Sequence, residues 1–188
     1  MRKTSHILRR FGRSTRGVAA IEFAAILPVL VVIFLATFDG GRAIATYMKV
    51  RAATYALASI TNQYSTIAST DITAILGASS VIMAPYNAST PIVTVSQIEI
   101  TSASNATIDW SATQGGTVRT VVPSLPTALK TSTTYPVYLI YAEVSYAYTP
   151  LFGFFGSGGI TFSDNLYTTP RGVSCIVYTP VNVNGTCP

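Results

Sequence analysis

The sequence predicts an α+β fold, with a long N-terminal membrane-spanning helix packed on a small antiparallel β-sheet domain. Three observations carry this. Val18 to Phe38 is an almost wholly apolar run, and as a helix it spans roughly 31 Å, close to the hydrocarbon thickness of a bilayer. Apolar residues then recur at helical spacing to about Asn62. Beyond Pro91 the period changes to that of strands, with Val, Ile, Thr and Tyr enriched. The chain divides accordingly into a basic leader over 1–17, a helix over 18–62 that is transmembrane to about 38, and an exported β-rich part over 63–188.

The leader comes first. The 188 residues carry a formal net charge of +5 with only 10% charged residues. Arg2, Lys3, Arg9, Arg10, Arg13 and Arg16 supply that excess, and the remainder is close to neutral. Cations confined to one side of an apolar run act as a topogenic signal that stays in the cytoplasm. They do not mark a nucleic-acid surface, so no nucleic-acid partner is expected. Ala43-Ile44-Ala45 offers a signal-peptidase-like site, but it lies past Asp39 and Arg42, and the apolar run is long for a secretory signal.

Within the helix, Glu22 and Pro28 break the apolar pattern. A carboxylate at the centre of a bilayer costs about 2.5–3.5 kcal/mol, so an intramembrane Glu calls for a partner or a function. Pro28 removes the hydrogen bond to the Ala24 carbonyl and predicts a kink or a locally loosened turn. Gly40-Gly41 is a second weak point. Asp39 and Arg42, three apart, are placed to pair. Past them, Ile44, Tyr47, Met48, Ala52 and Tyr55 share one helix face, which is expected to point into the core.

Tyr64 to Pro91 reads as a linker with a short helix over Asp71–Leu76, Ser69-Thr70-Asp71 offering N-caps and Gly77 a stop. Strands are predicted over Ile92–Val95, Gln97–Thr101, Ala106–Thr113, Pro136–Tyr148, Ile160–Leu166 and Gly172–Tyr178. Ser102 to Asn105 suits a hairpin loop. Gly115 to Lys130, with Pro123 and Pro126, reads as an exposed loop. Leu151-Phe152-Gly153-Phe154-Phe155-Gly156 is an apolar loop, expected to fold back on the core rather than to form an assembly contact.

Gly17, followed by four small or apolar residues and then Glu22-Phe23, resembles a prepilin processing site. Together with Arg16, Leu27-Pro28, Phe38-Asp39-Gly40-Gly41-Arg42-Ala43 and the late Thr169-Pro170-Arg171, it is similar to the TadE-like family. These are minor pilins, or pseudopilins, of tight-adherence (Flp-type) pilus systems, and TadF-like proteins are their siblings. The resemblance implies cleavage between Gly17 and Val18 by a prepilin peptidase, residence in the bacterial inner membrane with the C-terminal part in the periplasm, and later transfer to a pilus. It also implies partnership with other pilins and an assembly platform, and roles in adhesion and biofilm formation. After cleavage the Val18 α-amine would lie one helical turn from Glu22 and can pair with it within one chain or between subunits. Snorkelling toward the headgroups is the alternative for Glu22.

Cys175 and Cys187 are suited to a disulfide in an exported domain. With no histidine near, they make a poor metal site. His6, in the leader, is the only histidine, which excludes a histidine-based triad or a His-ligated metal in the exported part. Glu99 and Asp109 can face each other across a hairpin as a carboxylate pair, but two solvent-facing strand residues are the expected case. No enzyme activity, metal or cofactor is expected. The alternative to a pilin is an uncleaved single-pass membrane protein whose outer domain binds a ligand.

Overall fold

The computed structural model describes residues 16–86, 90–131, 134–153, 159–179 and 187. Leader residues 1–15 and the 154–156 portion of the apolar loop lie outside these.

Helix α1 runs Arg16–Thr61 without interruption, with Pro28 inside it. Neither Pro28 nor Gly40-Gly41 ends it. A proline removes one hydrogen bond, and the remaining turns of a long helix hold the axis together. From Gly17 through Phe34 every residue is exposed, so this half projects from the domain. The second half packs on the sheet.

The buried face of that half is not the one expected. Ile44, Met48 and Tyr55 are 65%, 64% and 66% exposed, whereas Asp39, Thr46, Val50, Ala53, Thr54, Leu57, Ala58 and Thr61 are buried. These follow a three- and four-residue repeat, but apart from Val50 and Leu57 they are small or polar. The reason is the partner surface. Tyr146, Tyr148 and Trp110 of the sheet fill the space between the layers, so the helix approaches with short side chains. Thr46 and Thr54 stay satisfied by donating to the carbonyls of Arg42 and Val50, one turn back.

The segment expected to be a linker is structured. Strand β1 (Thr66–Ala68) leads into helix α2 (Ser69–Met83), which packs against α1. The N-cap is Ala68, not one of the three polar candidates. Asp71 instead reaches back to accept from the Ala68 N–H at 3.1 Å, half of a capping box. Gly77 lies mid-helix. At the other end Lys49 Nζ donates to the Ile82 carbonyl at 3.0 Å, a cation at the negative end of the helix dipole.

The main sheet is antiparallel, in the order β3-β2-β4-β5. Its strands are β2 (Ile92–Ile100), β3 (Ala106–Gln114), β4 (Val137–Tyr148) and β5 (Ile160–Thr168). The two expected strands either side of Ser96 are one. The β2–β3 turn is the Ser102–Asn105 hairpin. Strand β6 is only Val177–Thr179 and pairs in parallel with β1, away from the main sheet.

Register explains the core. Val93 and Val95 face the helices with Ile140, Ala142 and Val144. Ile98, Ile100 and Leu139 face the other way. In β3 a bulge opposite Gln97/Ile98 leaves Asp109 as the extra residue. It puts Ile108 and Trp110, two apart, into opposite cores, where simple alternation would put them on one face. The Gly115–Lys130 run, expected to be an exposed loop, is partly a cover for the second core. Leu125 is buried there, Val122 and Leu129 pack beside it, and Thr127–Lys130 forms the short helix α3.

Candidate functional site

The exposed half of α1 carries Gly17, Val18, Glu22 and Pro28 on a single helix. Val18 and Glu22 are four residues apart, so their side chains lie one above the other on one face. Both are exposed. One described helix, this one, is long and apolar enough to cross a membrane.

Where α1 meets the sheet, Asp39 is the central residue. It is fully buried. It does not face Arg42 as the spacing suggested. Its two carboxylate oxygens accept from the backbone N–H groups of Leu151 and Phe152 at 3.1 and 3.0 Å. The Tyr148 hydroxyl donates to the Asp39 carbonyl at 3.3 Å. The loop after β4 is thereby tied to the helix at the end of its apolar run. Arg42 lies instead over the rings of Phe38 and Tyr86, at 5.8 and 5.6 Å. Phe152 packs edge-on to Phe38 with ring centroids 6.0 Å apart. Beside this junction Gly40, Ala43, Ile44, Tyr47, Ile160 and Phe162 line an open apolar groove of about 410 Å³.

A second polar node holds the C-terminal segment. Gln97 donates to the Asp109 carboxylate. It also accepts from the Ile176 N–H at 2.9 Å and donates to the Ile176 carbonyl at 3.2 Å. Trp110 Nε1 donates to the same carbonyl at 3.0 Å. The side-chain amide of Gln97 thus stands in for a strand partner. Cys175, next in the chain, is bonded to Cys187, with Cα atoms 5.7 Å apart. The Asp109 carboxylate and the two sulfurs lie within 4.8 Å of one another, but sulfurs already joined to each other offer no thiolate to a metal.

The structure gives Asp109 and Glu99 separate partners. The bulge turns Asp109 inward, where it is buried and its carboxyl is pushed above the usual range. Burial is the main cause, the Gln97 hydrogen bond opposes it, and the charge of Glu99 adds to it. Glu99 instead accepts from the Tyr138 hydroxyl at 3.2 Å. Burial, then the charge and hydrogen bond of Glu99, push the Tyr138 phenol up to about 12. The expected solvent-facing placement therefore fails for Asp109. No local motif around Asp109 marks the bulge.

On the face away from the helices, Arg119 and Glu143 form an ion pair, and the guanidinium lies 5.3 Å from the Tyr141 ring centroid. Pairing with Glu143 raises the Arg119 pKa, and partial burial opposes it. This pair fastens the loop after β3 to the sheet. The late Arg171 acts through its backbone, donating from its N–H to the Asn62 carbonyl at 2.9 Å, just past the end of α1.

The family model described as TadE-like protein matches residues 17–59, nearly the whole of α1. The N-terminal helix of this chain is therefore TadE-like, as the motif around Gly17 and Glu22 indicates. No curated protein and no solved structure matches the chain.

Proposed function

We propose that this chain, TadE-like over its long helix, is a minor pilin or pseudopilin of a tight-adherence pilus, with a structural rather than enzymatic role. It is made as a precursor, held in the inner membrane by Val18 to Phe38 with its sheet domain on the periplasmic side, and trimmed between Gly17 and Val18. Other pilins of the system, the prepilin peptidase and the inner-membrane assembly platform are its partners, and surface adhesion is the outcome it serves.

The observation that carries this reading is the coincidence of the family match with one apolar helix that bears both the candidate cleavage site and Glu22 on its exposed half. Cleavage there would create a charged amine one turn before Glu22. In a low-dielectric setting an ammonium and a carboxylate compensate each other's desolvation only when they are brought together. That gives Glu22 a partner in its own chain or in a neighbouring subunit, and gives the assembly a reason to align helix ends. A helix exposed from Gly17 through Phe34 supports lateral packing on lipid or on other helices.

The test is the N-terminus of the membrane-extracted protein, read by intact mass and terminal sequencing in cells with and without the prepilin peptidase. The expected result is a start at Val18 only when the peptidase is present. A Met1 start in both strains refutes the reading and leaves an uncleaved single-pass protein with an outer binding domain. A start just after Ala45 means a secreted domain and refutes it equally.

A further inference from the structure

We propose that Leu151 and Phe152, in the loop between β4 and β5, form a second and shallow contact with the bilayer, seated in the lipid interface beside the point where α1 leaves the membrane. The inference rests on the proposed function only in taking α1 as membrane-spanning.

The loop stands at the right level. Phe38 closes the apolar run of α1, and Phe152 packs edge-on to it. Asp39, the next residue, holds the backbone of Leu151 and Phe152. These contacts fix the loop at the depth of the last apolar turn.

The side chains point outward. Leu151 is 61% exposed and Phe152 45% exposed, so these two residues do not fold back on the core. Two large apolar side chains side by side on a surface call for a covering partner. The sequence Thr149-Pro150-Leu151-Phe152-Gly153 carries no charge. Aromatic and aliphatic side chains on such segments partition into the interfacial zone of a bilayer. Arg42, held against Phe38, is placed at the level of the headgroups.

The backbone is prepared for a poorly hydrated site. Irregular backbone is tolerated at membrane depth only where its polar groups are satisfied by the protein. The carboxylate of Asp39 takes both N–H groups that the turn would otherwise present to lipid.

The opposite end of the sheet is of another character. The Ser102–Asn105 hairpin is polar and joins β2 to β3 at the end where Ile100 pairs with Val137. Tyr148, at the other end of β4, touches Asp39. At about 3.3 Å per residue, β4 separates the two ends by roughly 36 Å. The apolar loop is thus at the membrane end and the polar hairpin at the distal end. Continuity with the spanning helix favours lipid as the occupant over a protein partner.

The test uses the full chain in vesicles of phosphatidylethanolamine and phosphatidylglycerol, with and without lipids brominated on the upper acyl chain. Trp110 is buried in the domain and gives a constant background. Three single variants are compared: Leu151→Trp at the loop, Ser104→Trp at the distal hairpin, and Phe34→Trp in the span. The expected result is a blue-shifted Leu151→Trp emission that brominated lipid quenches and aqueous acrylamide does not, with the reverse at Ser104→Trp. Leu151→Trp quenched by acrylamide alone overturns the proposal. Protection from both quenchers means a protein contact and also overturns it, as does equal lipid quenching at Ser104→Trp, which would mean a domain lying flat on the membrane. Phe34→Trp separates the two readings. If it is quenched by brominated lipid and Leu151→Trp is not, only the loop contact fails; if it is not quenched, the spanning helix itself is wrong.

Discussion

Replacing Asp39 with alanine removes the carboxylate that accepts from both backbone N–H groups of the Leu151–Phe152 turn. Both oxygens of the carboxylate are used, at 3.1 and 3.0 Å, and the residue is fully buried. A buried N–H left without an acceptor costs about 1–3 kcal/mol, so two such groups set an upper range of about 2–6 kcal/mol. Two effects reduce it. The variant no longer desolvates a carboxylate, and a loop released from the helix lets its amides reach water. A net loss of about 2–4 kcal/mol is expected, confined to the loop. As an equilibrium constant for local opening this is about 30- to 700-fold. Hydrogen exchange of the full chain in nanodiscs reads it directly. The Leu151 and Phe152 amides should exchange faster by that factor, while those of Ile140 to Val144 in the middle of β4 keep their protection. Asp39→Asn retains one acceptor and turns amide donors toward the second N–H, so it should fall between. Exchange in Asp39→Ala within about threefold of the parent would show that the turn is held by packing alone and refute the argument.

Other consequences are simpler to check. Leu57→Ala opens a void between α1 and the sheet, where Leu57 is almost completely buried. It should cost about 2–5 kcal/mol, seen as a lower midpoint in urea melts of the domain's near-ultraviolet signal. Cys175→Ser releases a closure of separation 12 and should cost about 3 kcal/mol, a loss that reduction of the parent protein should reproduce. Asp109→Asn tests the buried carboxyl. Because burial raises its folded-state value above the ordinary 3.8, its contribution to stability is complete below that ordinary value and is lost as pH rises through the folded one. The Asn variant should therefore be more stable than the parent at pH 7, with the difference shrinking toward acid. A variant less stable at pH 7 would mean that the ionised form is the one the fold prefers.

The long helix and the positions of the four main strands were legible because each has a period that hydrophobicity alone reveals. The helix face was not. Ile44, Met48 and Tyr55 look like core residues by hydrophobicity, yet the sheet supplies the bulk and the helix supplies Thr46, Ala53 and Thr54. Which partner brings the volume is a tertiary fact that a helical wheel does not contain. Helix α2 was understated because Gly77 reads as a stop and Ser79 and Ser80 as loop residues. Both serines donate to carbonyls three residues back, which keeps the helix going through polar positions. The bulge at Asp109 carries no local signature, and it alone decides that this residue points inward. At the junction, Asp39 was visible as a charged residue closing an apolar run. Its partners were not, because Leu151 and Phe152 lie more than a hundred residues away and contribute only backbone.

The short parallel pairing of β1 with β6 bears on how the protein emerges. The strand directly after α1 finds its partner at Val177–Thr179, so under the proposed topology, in which the helix leads, this pair cannot form until the chain through Thr179 has crossed. Cys187 comes later still. Until then Ile67, fully enclosed in the finished structure, has no neighbour from the chain's far end. Under that topology the sheet domain is sealed last beside α1. Any quality-control factor watching for unfinished molecules would find its clearest mark there, close to the membrane.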